Sequence, residues 1–439
     1  MKKNFKQIIM GIISIVMALS IFSPFAKINA QDKTELVFWH AMGGTAGEAL
    51  QKLVDQFNES QDEYIVNAQY QGSYDETLTK LRSTASGADV GADLVQVFEL
   101  GTTFMIDSGL TVPVQEYVDV SGFDLSKLEP NLLSYFTIDG QLYSMPFNNS
   151  TPIMYYNVDA FNAAGIEEIP DSLEEIIEIA PALVEGSDVS MAASMQIYGW
   201  FIEQWMSKQQ QPIFNNGNGR EGAPTETVFG ENGGMENILT KWKEGVDSGA
   251  MPNVGRTGGQ PEFIAGQSAI TLGSTASLRQ ILTEVDGRFE VGASYFPKVN
   301  DVDEGGVSIG GASLWMIETN DDVKKEGTWK FIEFLLSPES QAQWNVDTGY
   351  FPVNTDAHNE QVFKDNLAEF PQFQTAIDQL HDSSPEDQGA LSGVNQEARQ
   401  IYEAELEMHL GGSNDPTTSV NNMTDQVNAA LEAYNAANQ

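Results

Sequence analysis

No cysteine occurs among the 439 residues. Its absence excludes a disulfide framework, a thiol nucleophile and a cysteine zinc site, and leaves no residue near an export cut that could carry a lipid. Histidine is nearly as scarce. His40, His358, His381 and His409 are the whole supply, too scattered to suggest a metal site by spacing. Basic side chains number 22 against 63 acidic ones, which argues against a nucleic-acid partner, because phosphate backbones need a basic face. Catalytic signatures are missing too. There is no Gly-x-Ser-x-Gly elbow and no His-Glu-x-x-His, and Gly43, Gly44 and Gly47 follow the first predicted strand without dinucleotide spacing or a P-loop lysine. The expectation is a protein with no catalytic residues, no cofactor and no metal.

What is present begins with an export signal. Lys2, Lys3 and Lys6 precede an apolar run from Ile8 to Phe25, and Ala30 offers a small residue for cleavage, so 1–30 reads as a signal peptide. An uncleaved anchor is the alternative, since the run is near the length that spans a bilayer. The expected destination is periplasmic or extracellular. Four of the 22 basic residues and none of the acidic ones lie in 1–30, so the remainder has a formal charge near −45. Such a surface suits concentrated salt, where the Debye length falls to about 3 Å at 1 M and self-repulsion is screened. A hydrophobic content of 41% with 7 Trp, 13 Tyr and 23 Phe argues for a packed core rather than disorder.

Glu35 to His40, Tyr64 to Tyr70 and Asp93 to Glu99 read as strands with helical patterns between them, which predicts an α/β fold built on βαβ units. Ligands of such sheets sit at the carboxyl ends of the strands, where His40, Tyr74 and Glu99 fall. Each has a plainer reading, as a turn histidine, a half-buried aromatic and a solvated cap. His40 with Glu99 would also suit an acid and base pair in a secreted hydrolase, but no nucleophile context accompanies them.

Met145 to Asn157 reads as an extended crossing between two halves, held out of the α region by Pro146 and Pro152. Asn148, Asn149, Ser150 and Thr151 between them suit either a polar turn or a bound polar ligand. A second crossing is predicted over 305–317, where Gly310 and Gly311 leave the backbone bare for a bend or a ligand. A third follows Asp347. Three crossings predict two lobes closing on a central cleft, 31–148 with 310–348 and 149–309 with 349–439. Ser274 and Thr275 end a strand where a helix begins, a place for an anion or an ordinary N-cap. Trp200, in the aromatic stretch from Tyr198 to Trp205, suits a sugar platform or core packing. Residues 214–234 read as an exposed insertion or loop. Arg399 with Glu403 is at its plainest an i, i+4 ion pair, worth about 0.3 to 0.5 kcal/mol.

Six blocks in order carry a family resemblance: Phe38-Trp39-His40, Gly72-Ser73-Tyr74, Gln96-Val97-Phe98-Glu99, Pro146-Phe147-Asn148-Asn149-Ser150-Thr151-Pro152 with Tyr155-Tyr156-Asn157, Ile309-Gly310-Gly311-Ala312-Ser313-Leu314-Trp315, and Thr348-Gly349-Tyr350-Phe351-Pro352. The chain resembles the extracellular solute-binding proteins of ABC importers, the family that includes maltose-binding proteins, and within it the glycerol phosphate binders. The resemblance implies a two-lobed periplasmic-binding-protein fold and a monomer that hands a small glycerophosphate-type ligand to the transmembrane subunits of a permease. It places ligand contacts at Tyr74, Glu99, Ser150, Ser274 or Thr275, Gly310 or Gly311, Tyr350 and Arg399, one of six arginines. Arg399 would fork onto the phosphate while Glu99 accepts glycerol hydroxyls at a distance from it. His40, Ile197 and Trp200 are candidate pocket walls. Ile197 stands where relatives carry a tryptophan, which implies a roomier pocket open to glycerophosphodiesters such as glycerophosphocholine. A neutral oligosaccharide binder of the same fold is the alternative reading.

Overall fold

Runs of consecutive apolar residues, rather than alternating ones, dictate strands covered on both faces. The computed structural model describes residues 33–84, 89–384 and 387–438, so the expected signal peptide lies outside the described residues. In chain order the strands are β1 (Thr34–His40), β2 (Tyr64–Tyr70), β3 (Leu94–Phe98), β4 (Thr111–Val112), β5 (Thr137–Ile138), β6 (Gln141–Leu142), β7 (Met145–Ser150), β8 (Pro152–Asn157), β9 (Met191–Ser194), β10 (Ser268–Ser274), β11 (Val291–Tyr295) and β12 (Gly310–Ile317). The first sheet has the order β2-β1-β3-β12-β4, with β7 also on β12; the second runs β11-β8-β10-β9. Every residue of β3 is buried. The helix Gly44–Ser60 packs its Leu50, Leu53, Val54 and Phe57 stripe inward, the spacing of an amphipathic helix against a sheet. This is a two-lobed α/β fold of the maltose-binding-protein kind.

The chain passes between sheets at Thr151, because β7 stays paired through Ser150 with Gly310 and through Asn149 with Gly311. That is two residues beyond the boundary expected after 148. The other passages lie beside it, at the start of β12 and after the helix Pro338–Thr348. Asn149 ties all three. It sits on the first, its side-chain amide donates to the Gly310 carbonyl at 3.3 Å, and its own carbonyl accepts from the Phe351 N–H at 2.9 Å. Asn149→Ala removes the side-chain bond from a fully buried site, and a loss of about 1 kcal/mol is expected. Urea unfolding of the variant measures it; an unchanged midpoint contradicts the role.

At Val353 and Asn354 the chain is again held against the first lobe. Glu129 N–H donates to the Val353 carbonyl at 2.9 Å, and Leu128 bridges Asn354. The 214–234 segment is an irregular loop with many exposed residues, as its composition suggests, but it is anchored at several points. Phe214 and Phe229 are fully buried, and Arg220 donates through Nη1 to the Tyr135 carbonyl of the first lobe at 2.9 Å.

Candidate functional site

A helix with a large polar side chain on its inner face must aim that side chain at a partner, since an unpaired buried charge is too costly to keep. The helix Asn395–Leu410 does so with Arg399, which is buried between the lobes. Glu203, on the helix Gly199–Lys208, takes the fork from its own lobe: Nε donates to Oε1 at 2.9 Å and Nη2 to Oε2 at 2.6 Å. Glu99, just past β3 in the first lobe, receives Nη2 on Oε1 at 3.0 Å. Among the described residues nothing accepts from Nη1. The Tyr198 ring lies 5.7 Å from the guanidinium carbon.

Burial is the largest influence on the pKa values of Arg399, Glu99 and Tyr198. It works against the Arg399 charge, but Glu203 and Glu99 more than compensate and hold the guanidinium's pKa well above its usual value. For Glu99, burial and the nearby Glu203 outweigh Arg399, and its carboxyl is pushed up to about 7. Burial likewise pushes the Tyr198 phenol up to about 12. Because the Glu99 pKa is raised on folding, its contribution to stability is present below its ordinary value near 4.5 and is lost as pH rises through about 7. We expect melting temperature to fall between pH 5 and pH 8 more steeply in the unmodified protein than in Glu99→Gln. Equal slopes in the two proteins contradict the shift.

Around this triad a chain of hydrogen bonds links the first lobe's strand ends. The Ala41 N–H donates to Gln96 Oε1 at 2.9 Å, Gln96 Nε2 to Asn148 Oδ1 at 2.7 Å, and Asn148 Nδ2 to the Tyr74 hydroxyl at 2.7 Å. Tyr74 then meets the Tyr350 hydroxyl at 3.5 Å. Both rings are backed by aromatics, Tyr74 on Phe98 at 5.3 Å and Tyr350 on Trp344 at 5.6 Å.

The remaining expected residues divide. Ser150 and Gly310 face each other where β7 meets β12. Trp200 packs against that point; a Cβ on Gly310 would stand 2.5 Å from its ring. Gly311 has φ +87 and lies against the Asn148 carbonyl, so its bareness serves backbone packing. Thr275 is committed to the hinge, its N–H donating to the Thr151 carbonyl at 2.9 Å and its hydroxyl accepting from the Thr151 N–H at 3.3 Å. Ser274 Oγ caps the following turn, accepting from the Ala276 N–H at 3.2 Å. His40 accepts the Met42 N–H on Nδ1 and contacts Phe38 and Tyr70; burial lowers its pKa to about 4, so it is neutral at pH 7. Ile197 is buried in the second lobe's core, and its neighbour Tyr198 presents a ring to Arg399 instead. The Arg399 and Glu403 pair does not form. Glu403 accepts from the Gly199 N–H at 3.0 Å and from Arg256 at 2.9 Å.

Sequence reasoning missed Glu203, Tyr198 and Tyr402. Glu203 left one signal, as the single carboxylate within an aromatic stretch whose helix must bury most of its surface. The arrangement can do one thing chemically. An incoming anion can take the Nη1 side of a guanidinium already held flat, displace Glu99, and leave that carboxylate to accept hydroxyls.

Two lobes joined by three adjacent passages, with a polar, arginine-centred cleft between them, define a ligand-capturing binding protein. The chain belongs to the bacterial extracellular solute-binding proteins, whose family model matches residues 52–372. It is 30% identical to the sn-glycerol-3-phosphate-binding periplasmic protein UgpB of Yersinia pseudotuberculosis over 97% of this chain and 98% of that one. It is also 30% identical to the UgpB of Escherichia coli K12, over 92% and 94%. Among solved structures, that of UgpB from Mycobacterium tuberculosis in complex with glycerophosphocholine superposes with a TM-score of 0.77 at 23% identity, covering 92% of this chain and all of that one. Maltose-bound MalE3 of T. maritima superposes at 0.76 with 13% identity, over 91% of this chain and 100% of that one. No helix among the described residues is long and apolar enough to cross a membrane.

Proposed function

We propose that the protein is the receptor of an ABC importer, capturing glycerol-3-phosphate or a glycerophosphodiester such as glycerophosphocholine between its lobes and delivering it to the permease without turnover. The observation that carries this reading is Arg399, buried at the cleft with its fork oriented by Glu203 and Nη1 open among the described residues. Tyr74 and Tyr350, which lie near Glu99, would supply neutral hydroxyls, Ser150 and Gly310 are further candidate contacts, and Glu99 would accept glycerol hydroxyls. The thirty per cent identity to UgpB proteins along nearly the whole chain supports the same ligand class. We take the exported protein to be a monomer that starts after Ala30, its acidic surface suited to concentrated salt.

A receptor is stabilised by its ligand. At a hundred times Kd the gain is about 2.7 kcal/mol, visible as a raised melting temperature. Glycerol-3-phosphate or glycerophosphocholine should raise it, maltose should not, and the ligand should be recovered intact by phosphorus NMR. A shift with maltose alone assigns the cleft to a neutral sugar, and consumption of the ligand makes the protein an enzyme.

A further inference from the structure

We propose that Glu203 is the charge-selecting and positioning residue of the cleft, holding the Arg399 guanidinium in one plane and cancelling its charge so that the site favours a singly charged phosphodiester over a doubly charged monoester. The inference rests on the glycerophosphate reading above and names which member of that class fits.

The geometry is a bidentate fork, both of whose bonds come from one carboxylate on the same lobe as the arginine. Such a fork survives opening of the cleft, unlike the contact to Glu99, which crosses it. Arg399 therefore meets a ligand already paired. The local charge is zero from Arg399 and Glu203 together, and negative when Glu99 is ionised. Glu403 lies beyond Gly199 and is taken up by Arg256. The other titratable groups facing the triad are Tyr74, Tyr135, Tyr198, Tyr350 and Tyr402, all neutral phenols with pKa values raised by burial. The Tyr402 hydroxyl is buried and has no hydrogen-bond partner among the described residues. It lines the same recess as Glu99 and Glu203.

Among the described residues no second cation pairs with Glu99 or Glu203 and so none stands ready to balance a dianion. A phosphate monoester carries about −1.5 to −2 at pH 7, with its second pKa near 6, whereas a diester stays at −1. Each extra negative charge near two carboxylates in a low-dielectric cleft is opposed by Coulomb repulsion, worth roughly a tenfold loss of affinity or more. A diester that also carries a quaternary ammonium adds no net charge at all.

The test is calorimetric titration of the full exported chain with glycerol-3-phosphate and glycerophosphocholine between pH 5.5 and pH 8, for the unmodified protein, Glu203→Gln and Glu203→Asp. In the unmodified protein at pH 8 the diester should bind about tenfold tighter or more, and the gap should narrow toward pH 5.5 as the monoester gains its proton. Protonation of Glu99 moves the ratio the same way. Glu203→Gln should close the gap at pH 8 about tenfold, while Glu203→Asp, which keeps the charge but shortens the reach, should weaken both ligands and keep the ratio. A merely structural Glu203 would change both affinities alike and leave the ratio untouched in Glu203→Gln, which overturns the inference. If Glu203→Gln does not fold, a preference for the monoester that grows with pH in the unmodified protein overturns it as well. Binding of neither phosphate overturns the functional reading and this inference with it, whereas binding with an unmoved ratio overturns this inference alone.

Discussion

Arg399→Ala is expected to abolish measurable binding of any phosphate ligand and to destabilise the closed cleft. The two effects have separate origins. Binding is lost because the charge-assisted fork has no substitute; among the described residues no other cation reaches Glu99 or Glu203. Stability is lost because two carboxylates remain facing each other in a buried site. Removing one member of a buried pair costs about 3 to 5 kcal/mol, most of it the cost of the charges left behind. Arg399→Lys separates the effects, since an ammonium keeps the charge but cannot present the planar fork. It should melt near the unmodified protein and still lose most of its affinity. Urea unfolding and titration together read the outcome, and an Arg399→Ala protein that binds glycerophosphocholine normally removes the arginine from the site.

The second large effect is expected at Gly311. With φ +87 it occupies backbone space that side-chain-bearing residues rarely adopt, and a Cβ there would overlap the Asn148 carbonyl oxygen. The obstacle is main chain on β7, which cannot swing aside as a rotamer can. Strain alone accounts for about 1 to 3 kcal/mol. Displacing β7 would also loosen the Gln96 to Asn148 bond and thereby the seat of Tyr74. Gly311→Ala should therefore lose both stability and affinity. Gly310→Ala is milder in expectation, because it meets the edge of the Trp200 ring, which can tilt. Chemical unfolding of the two variants side by side checks the order; a Gly310 variant that is worse than the Gly311 one contradicts it.

How much of this the sequence disclosed depends on the range of the interaction. Pro146 and Pro152 restrict the backbone locally, and Gly311 and Gly349 permit the positive φ that other residues rarely adopt, so these local features were legible. Glu99 bonds Arg399 directly, whereas the family resemblance implies a Glu99 held at a distance from the phosphate that Arg399 would take. The pair expected between Arg399 and Glu403 fails although its spacing permits it, because Gly199, which has no side chain, lets a neighbouring helix pack onto Arg399 and claim Glu403. Glu203, 196 residues away in sequence, takes its place. No local rule predicts that choice. Ile197 illustrates the same limit: a single step along the chain separates a core residue from Tyr198, which faces the guanidinium. The 214–234 segment looked exposed by composition, but two phenylalanines spaced fifteen apart suffice to bury its ends against the second core.

We propose that the cleft recognises a phosphate through Arg399. Calorimetric titration of residues 31–439 in high salt with glycerol-3-phosphate, glycerophosphocholine and maltose, alongside the Arg399→Lys variant, tests it most directly. The claim predicts saturable heat from at least one phosphate ligand, none from maltose, and loss of that heat in the variant. Heat from maltose alone, undiminished in the variant, would contradict it.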